Sequence, residues 1–100
     1  MDVCGVMIRF VWDTLKELEN FLKHGVDFET AKKAFADPKR RILHDLSHSK
    51  EEQRFFCLGN VEGKILTVRF TYRDLDIRII GAGFWRKGKI TYEKENEKKN

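Results

Sequence analysis

The stretch RFFCLGNVEGKILTVRFTYRDLDIRIIGAG, residues 54–83, decides the fold of this 100-residue chain. It contains three runs of alternating or β-branched residues, which are typical of β-strands: Arg54–Val61, Ile65–Tyr72 and Ile77–Ala82. The first two runs are separated by Glu62-Gly63-Lys64, where the glycine can adopt a positive φ without steric cost. The pattern predicts a meander of three antiparallel strands.

The two sides of the middle strand are predicted to differ in character, because side chains alternate along a β-strand. One side would carry the apolar residues Leu66, Val68, Phe70 and Tyr72. The other side would carry Thr67, Arg69, Thr71 and Arg73. Arg54 and Arg78 join this second side if the flanking strands pair in the matching register. We therefore expect guanidinium groups on neighbouring strands that can reach one anion.

The composition indicates one globular domain with a basic surface. Hydrophobic residues make up 41% of the chain and aromatic residues 12%, which is enough apolar material for one core and argues against disorder. The 20 Lys and Arg residues exceed the 16 Asp and Glu residues, and the pI is about 9.2. This balance favours a polyanionic partner such as nucleic acid, although surplus lysine also serves as ordinary solvated surface.

Cysteine usage and the N-terminal residues predict a cytoplasmic protein. Cys4 and Cys57 form no CxxC pair and are too few for a disulfide framework, as expected in a reducing compartment. The opening residues include Asp2 and Arg9 and lack the leader pattern of a signal peptide. No run is long and apolar enough to span a membrane, so we expect no membrane partner.

A strand and two helices are predicted before the meander. Residues Val6–Trp12 alternate as a strand does, and Thr14–Glu17 form a capping box that predicts the start of a helix. Lys23-His24-Gly25 predicts its end. The apolar stripe of this helix, expected to face the sheet, consists of Leu15, Leu18, Phe21 and Leu22. A second helix is predicted from its N-cap Asp27 to Asp37-Pro38, where proline disfavours helix.

The predicted fold class is α+β, with one domain over residues 1–100. Residues Arg40–Leu46 are a candidate edge strand, and Ser47–Glu52 a loop or helical turn. The predicted order is β-α-α-β-β-β-β with a possible C-terminal helix, and residues 94–100 are expected to fray. Both N-terminal helices are expected to pack on one face of a mostly antiparallel sheet whose other face is at least partly open.

Several segments resemble the BrnT family of toxins. Residues 10–38, FVWDTLKELENFLKHGVDFETAKKAFADP, are similar to the opening of that family. The residues that carry the match are Trp12-Asp13, Lys16, Asn20, Lys23-His24-Gly25-Val26, Phe28, Ala31, Phe35 and Asp37-Pro38. Residues 48–73 and the IRII segment, residues 77–80, fall where the family has its HS, EER, LG and R-I-I segments. The resemblance thus covers nearly the whole chain.

This resemblance implies a fold and a function. The fold would be RelE-like, and the activity a ribosome-independent endoribonuclease that cleaves mRNA as the toxin of a type II toxin–antitoxin pair. The partner would be a cognate BrnA-type antitoxin that covers the site, in a dimeric toxin–antitoxin assembly. Neither a cofactor nor a metal is implied.

The segment after the meander departs from the family pattern. Many members read ISAR followed by a basic stretch that contains Glu and then Tyr-Glu, whereas this chain reads IIGAGFWRKGKITYE, residues 79–93. Gly81 stands in place of Ser and Gly83 in place of Arg, and the intervening Glu has no clear counterpart. A subgroup of the family looks similar to this glycine-containing version. The loss of Arg and Glu leaves open whether such members cut RNA or only bind it.

Metal-independent RNA cleavage needs a base for the 2′-hydroxyl, cations for the charged transition state and an acid for the leaving 5′-oxygen. Arg54, Arg78 and Arg86 are candidates for the cations, and Tyr92 and Glu93, by analogy with the family's terminal Tyr-Glu, for the acid and base. The predicted RNA-binding residues are Lys23, Arg69, Arg73, Trp85, Lys87 and Lys89. The competing interpretation is that the arginines and lysines are solvated surface and that Tyr92 only anchors the tail.

The histidines offer less specific signals. His24 at a helix end is better explained by the helix dipole than by catalysis. His44 and His48 have metal-like spacing with Cys57 downstream, but a zinc site needs about four ligands in register, so no metal is predicted. Two alternatives to a ribonuclease stay open: a non-catalytic domain that binds RNA or an antitoxin, and a plain protein-interaction module.

Overall fold

The computed structural model describes residues 8–97, which form a five-stranded sheet and three α-helices. Cys4 and the first residues of the predicted strand Val6–Trp12 lie outside the described residues. In chain order the elements are β1 (Arg9–Val11), α1 (Thr14–His24), α2 (Phe28–Lys32), β2 (Arg41–His44), β3 (Arg54–Val61), β4 (Lys64–Arg73), β5 (Asp76–Gly83) and α3 (Arg86–Glu97). Short 3₁₀ helices follow α2 and β2, at Lys33–Ala36 and Leu46–His48. No helix in this part of the chain is long and apolar enough to cross a membrane.

The predicted meander is confirmed as the centre of the sheet. The strand order is β1-β5-β4-β3-β2, so β2 is an edge strand as expected. The β3–β4 hairpin turns at Glu62 and Gly63, whose φ values of 54° and 91° are those of a turn that matches the twist of the strands. The β4–β5 pair has one irregularity: Arg69 faces Gly81 and Phe70 faces Ile79, so Ile80 is an extra residue in β5.

The sheet is mixed, because β1 pairs with β5 in the parallel direction. The other three pairings are antiparallel. The β1–β5 register brings Arg9 opposite Asp76, and the Arg9 Nη2 atom lies 2.8 Å from Asp76 Oδ2. The sequence predicted a mostly antiparallel sheet and that β1 would join the meander, but gave no indication of the direction of β1.

The predicted apolar face of the meander packs against α2 and the 3₁₀ helix that follows it. Phe28, Ala31 and Ala34 are fully buried there against Leu66, Val68 and Phe70. We call this side of the sheet the core face. Gly59 permits the close approach, since a Cβ atom at that position would clash with the backbone of Ala34. The N-cap of α2 is Asp27, as predicted, with its carboxylate 2.7 Å from the Thr30 amide.

Helix α1 corrects two predictions. Its N-cap is Asp13 rather than Thr14, because the Asp13 carboxylate accepts hydrogen bonds from the amides of Leu15 and Lys16. Glu17 does not close a capping box: its carboxylate accepts hydrogen bonds from the Trp12 indole and the Phe28 amide instead. Its apolar stripe does not face the sheet, and the four stripe residues are each at least half exposed, namely Leu15, Leu18, Phe21 and Leu22. The helix lies beside the edge of β5 rather than over a face.

Asn20 explains this position. The short strand β1 pairs only with residues 76–78, so the outer edge of β5 is without a strand partner beyond that point. Asn20 takes its place: the Asn20 side-chain amide donates to the carbonyl of Ala82 at 2.9 Å and accepts from the Ala82 amide at 3.1 Å. It also donates to the Val26 carbonyl at 3.0 Å. One buried amide therefore satisfies three backbone groups and attaches α1 to the sheet.

Helix α3 covers part of the opposite face of the sheet. Tyr92 packs with Leu58 and Ile65 in a second small cluster of buried residues. The Tyr92 hydroxyl donates a hydrogen bond of 2.6 Å to Asp37 Oδ2, which also accepts from the Asn60 amide at 2.7 Å. The expected C-terminal helix is thus present and extends through Glu97, which includes the first residues of the predicted frayed segment; residues 98–100 lie outside the described range.

We predict that Asn20→Ala lowers the free energy of unfolding by about 3 kcal/mol, because three backbone groups lose a hydrogen-bond partner. Two of these groups are the amide and the carbonyl of the buried Ala82. The measurement is urea denaturation of both proteins. The matched control is Asn96→Ala, whose amide donates to the Lys39 carbonyl at the surface and to the Tyr92 carbonyl of its own helix. This variant should lose less than about 1 kcal/mol. Equal losses in the two variants would contradict the role of Asn20.

The second prediction concerns the pH dependence of Tyr92. Burial and the hydrogen bond to Asp37 raise the pKa of Tyr92 from its ordinary 10.0 to about 12. A folded-state pKa above the unfolded value means that this contribution to stability is complete below pH 10 and is lost as pH rises towards 12. Ultraviolet titration of tyrosinate should show a late step that is absent in Tyr92→Phe. If Tyr92→Phe instead lacks a step near the ordinary tyrosine pKa, the Tyr92 hydroxyl is not held by Asp37.

Candidate active site

Four arginines converge on the sheet face opposite the core, and we call this surface the arginine face: Arg54, Arg69, Arg73 and Arg78. Strand register places them together, because Arg54 lies directly opposite Thr71, and Thr71 directly opposite Arg78. Arg69 and Arg73 flank Thr71 at the alternate positions of β4. Since neighbouring strands lie about 4.8 Å apart, the backbones of Arg54 and Arg78 are separated by about 10 Å, with Thr71 between them.

The residues between these arginines expose little side chain. Thr71 is only 2% exposed, and its hydroxyl donates to the Gln53 carbonyl at 2.6 Å. Gly81, opposite Arg69, adds no side chain, and a Cβ atom there would touch only Asn20 Oδ1, at 3.4 Å. Thr71 and Gly81 therefore present little side-chain bulk between the guanidinium groups.

The arginines have few anionic partners among residues 8–97. Glu52 bridges two of them weakly, with 3.4 Å to Arg54 Nη2 and 3.7 Å to Arg73 Nη2. The buried Nε atom of Arg54 has no hydrogen-bond partner. Arg69 and Arg78 form no ion pair or side-chain hydrogen bond in the described part of the chain, but Arg69 interacts electrostatically with Asp45 and Arg78 with Asp13. Several guanidinium groups on one face with such loose pairing are suited to bind a phosphate diester.

An aspartate–histidine pair, which the sequence reasoning missed as a unit, borders the same surface. Asp45 ends β2, and its amide donates to the Arg54 carbonyl at 2.8 Å. The buried Asp45 carboxylate lies 3.1 Å from His48 Nδ1 and accepts a hydrogen bond of 3.0 Å from the Ser47 hydroxyl. Burial by itself would raise the pKa of Asp45, but the hydrogen bonds from His48 and Ser47 outweigh it, so this pKa lies below its usual value. Asp45 is therefore an anion that can orient an imidazole.

His48 is well placed to exchange a proton. With Nδ1 hydrogen-bonded to a carboxylate, the tautomer with hydrogen on Nδ1 is favoured, which leaves Nε2 as a proton acceptor. The imidazole side chain is 56% exposed. His48 and Arg54 line one depression of about 450 Å³, together with Glu52. The sequence signal that could have revealed the pair is the spacing of Asp45 and His48 in HDLSHS, just before the strand that carries Arg54.

Ser49 holds this turn against the sheet. Its hydroxyl accepts from the Arg54 amide at 2.9 Å and donates to the Asp45 carbonyl at 2.6 Å. The same oxygen lies 3.2 Å from His44 Nε2, so the two histidines of the supposed metal spacing have different partners. The described residues contain no cluster of three or more His, Cys, Asp or Glu side chains that could hold a metal ion. Cys57 is fully buried, and burial raises its pKa to about 12.

The other predicted site residues lie around α3, apart from the arginine face. Arg86, Lys89, Tyr92 and Glu93 line a depression of about 600 Å³ with Lys64 and Phe84. The structure therefore does not bring Tyr92 and Glu93 together with Arg54 and Arg78, and the Tyr92 hydroxyl is engaged by Asp37. Lys87 lines a different cavity on the sheet side of the helix. Lys23 is exposed in the last turn of α1.

Trp85 and the glycines of β5 account for the unusual segment after the meander. A Cβ atom at Gly83 would overlap the Trp85 indole, so the glycine is required by the position of the tryptophan. The same indole also contacts the His24 ring edge to face, with centroids 5.1 Å apart. Gly88 rests on Thr67 in the same way and allows α3 to approach the sheet. An arginine at position 83 could not be accommodated with Trp85 in this place.

Comparison with known proteins identifies the family of this chain. A search of curated proteins found no match. A family model described as "Ribonuclease toxin, BrnT, of type II toxin-antitoxin system" matches residues 12–88, which include both N-terminal helices and all four arginines of the arginine face. That description implies RNA as the substrate and an antitoxin protein as the partner. The chain belongs to the BrnT family of type II toxin–antitoxin ribonuclease toxins.

Proposed function

We propose that this chain is the ribonuclease toxin of a type II toxin–antitoxin pair and that it cleaves mRNA at the arginine face without a metal ion. The observation that carries the proposal is that His48, held by Asp45, lines one depression together with Arg54. A proton acceptor therefore borders the same depression as one cation of the arginine face, and the register places Arg78 on the other side of Thr71. The α+β arrangement is compatible with the RelE-like fold that the family resemblance implies, and an RNA substrate favours action in the cytoplasm.

The chemistry follows from these groups. Nε2 of His48 removes the proton of a ribose 2′-hydroxyl, and the 2′-oxygen attacks the adjacent phosphorus. The bond from phosphorus to the 5′-oxygen breaks, and the leaving oxygen takes up a proton from solvent water, which yields a 2′,3′-cyclic phosphate and a 5′-hydroxyl. The proton accepted by His48 then passes to solvent and restores the base. Extra negative charge develops on the phosphate oxygens in between, and Arg54 and Arg78, on the two strands that flank Thr71, would stabilise it.

The remaining cations would hold the RNA strand. Arg69 and Arg73 extend the arginine face along β4, and Arg86, Lys87 and Lys89 extend positive charge along α3. Lys23 adds a charge at the end of α1. We assign Tyr92 to anchoring α3, because its proton is held by Asp37, and Glu93 to the outer surface of that helix. Glu52, which bridges Arg54 and Arg73, would be displaced by the incoming phosphate.

The partner of such a toxin would be a BrnA-type antitoxin in a dimeric assembly. Two features support a protein partner at this end of the molecule. The stripe of α1 leaves Leu15 62% and Leu22 76% exposed, which is unusual for a helix of a free monomer. The uncompensated arginines would also be stabilised by an acidic antitoxin segment, which would then compete with RNA for the same cations.

We predict that Arg78→Ala lowers the cleavage rate of single-stranded RNA in EDTA by roughly 100- to 1,000-fold, because a cation that stabilises the transition state is lost. Arg78→Lys, which keeps the charge, should lose less and controls for misfolding. The matched control Arg40→Ala removes an exposed arginine that donates only to the Asp37 carbonyl, and its rate should not change. Tight RNA binding by the wild type without any cleavage would instead support a non-catalytic binding domain.

His48→Gln tests the proton acceptor separately. The cleavage rate should fall by roughly 100-fold or more, because general base catalysis contributes about that factor. The control is His24→Gln, which changes a histidine that packs on Trp85. An unchanged cleavage rate in His48→Gln would remove His48 from the mechanism and leave the role of the arginines standing.

A further inference from the structure

A cavity of about 420 Å³ lies between α3 and the sheet, next to the arginine face. The sheet contributes Leu43, Phe56, Leu58 and Thr67, and the other side contributes Trp85, Lys87, Gly88 and Thr91. None of these lining residues takes part in the cleavage steps, and Lys87 is one of the cations proposed to hold the RNA strand. The size is within the range of pockets that hold small organic groups.

The walls of this cavity are aromatic and aliphatic. Phe56 on β3 is half-buried, and Trp85 keeps 36% of its surface exposed although its indole contacts His24 and covers Gly83. The Thr67 hydroxyl does not make the floor polar, because Gly88 covers it and its oxygen is inaccessible. A flat, apolar group is therefore the ligand that suits the interior.

The rim is cationic, and it is continuous with the arginine face. Arg69 lies directly opposite the lining residue Phe56, so the Cβ atoms of the two residues are about 5 Å apart. Lys87 lines the opposite side of the opening. A ligand with a flat apolar part and an attached anion would place the first in the cavity and the second at Arg69.

We propose that this cavity binds one nucleobase of the RNA strand whose backbone crosses the arginine face. The proposal rests on the proposed function and adds the subsite that holds the strand in register for cleavage. A nucleobase supplies the flat ring for the aromatic walls, and its own phosphates supply the charge for Arg69 and Lys87. An apolar side chain of a protein would fill the interior equally well but would leave the cationic rim unmatched, which is why we favour the nucleotide.

Binding of uncleavable oligonucleotides tests this subsite independently of catalysis. A short 2′-O-methyl RNA cannot be cleaved because the attacking hydroxyl is blocked, and an oligonucleotide of equal length without bases presents the same phosphates. Leu43→Trp fills the cavity from the sheet, and Thr91→Phe fills it from α3. Each variant should bind the base-containing strand roughly tenfold more weakly, since stacking on aromatic side chains contributes about this factor or more. The affinity of both variants for the abasic strand should equal that of the wild type.

The matched control is Ile90→Phe, which adds an aromatic ring to an exposed position of α3 that does not line the cavity, and it should bind both strands as the wild type does. Thermal unfolding of all variants identifies any that fail to fold. The proposal is overturned if the filled variants keep full affinity for the base-containing strand, or if they lose affinity for both strands equally. It is also overturned if filling the cavity weakens only the antitoxin. If the wild type binds RNA in a base-dependent way but does not cleave it, the proposed ribonuclease activity is disproved and the proposed nucleobase subsite stands.

Discussion

The arrangement of this molecule depends on one constraint, the obligatory burial of the core face of β4. Leu66, Val68 and Phe70 are fully buried beneath α2 and the 3₁₀ helix that follows it, and moving the strand by one residue would expose all three. Because side chains alternate, the same burial forces Arg69, Thr71 and Arg73 to the opposite face. The register of β3 and β5 then adds Arg54 and Arg78 to that face. A hydrophobic requirement on one side of the sheet therefore positions the cations on the other.

The position of α3 is the second constraint on this surface, because the helix and the arginines occupy the same face of the sheet. Close packing at Gly83 and Gly88 lets Trp85 and the helix lie directly on β4 and β5. Further along, Tyr92 fixes the helix through its hydrogen bond to Asp37. Burial by itself would raise the pKa of Asp37, but the hydrogen bonds from Tyr92, Asn60 and Lys39 outweigh it, so this pKa lies below its usual value. Packing against Trp85 thus explains Gly83, which stands where the family pattern has Arg, and nothing in the structure explains Gly81.

Several carboxylates of this protein are held by hydrogen bonds within the fold, whereas the cations of the arginine face are paired more loosely. Asp13, Asp27 and Asp37 accept backbone hydrogen bonds that lower the pKa of each of them, and Asp45 is bound by His48 and Ser47. Near the arginine face, within residues 8–97, Glu52 is shared between two guanidinium groups at distances that indicate weak pairing, and Asp45 and Asp13 interact electrostatically with Arg69 and Arg78. The pairing of Arg54 and Arg73 with Glu52 is thus looser than that of Arg9 with Asp76, at 2.8 Å.

Local pattern was sufficient for much of this protein. The strands of the meander, the turn at Gly63, the cap at Asp27 and the common face of four arginines could be predicted because they depend on alternation and on the conformational preferences of neighbouring residues. The family resemblance in residues 10–38 and 48–80 was equally a property of sequence alone, and the family match over residues 12–88 agrees with it. Tertiary structure decided what depends on contacts between distant residues. Asn20 moved α1 to the edge of β5 and left its apolar stripe exposed, Asp37 took the hydroxyl of Tyr92, and Asp45 and His48 came to lie beside Arg54. Such contacts have no periodic signal, since a buried polar group is satisfied by whichever partner the fold brings within hydrogen-bonding distance.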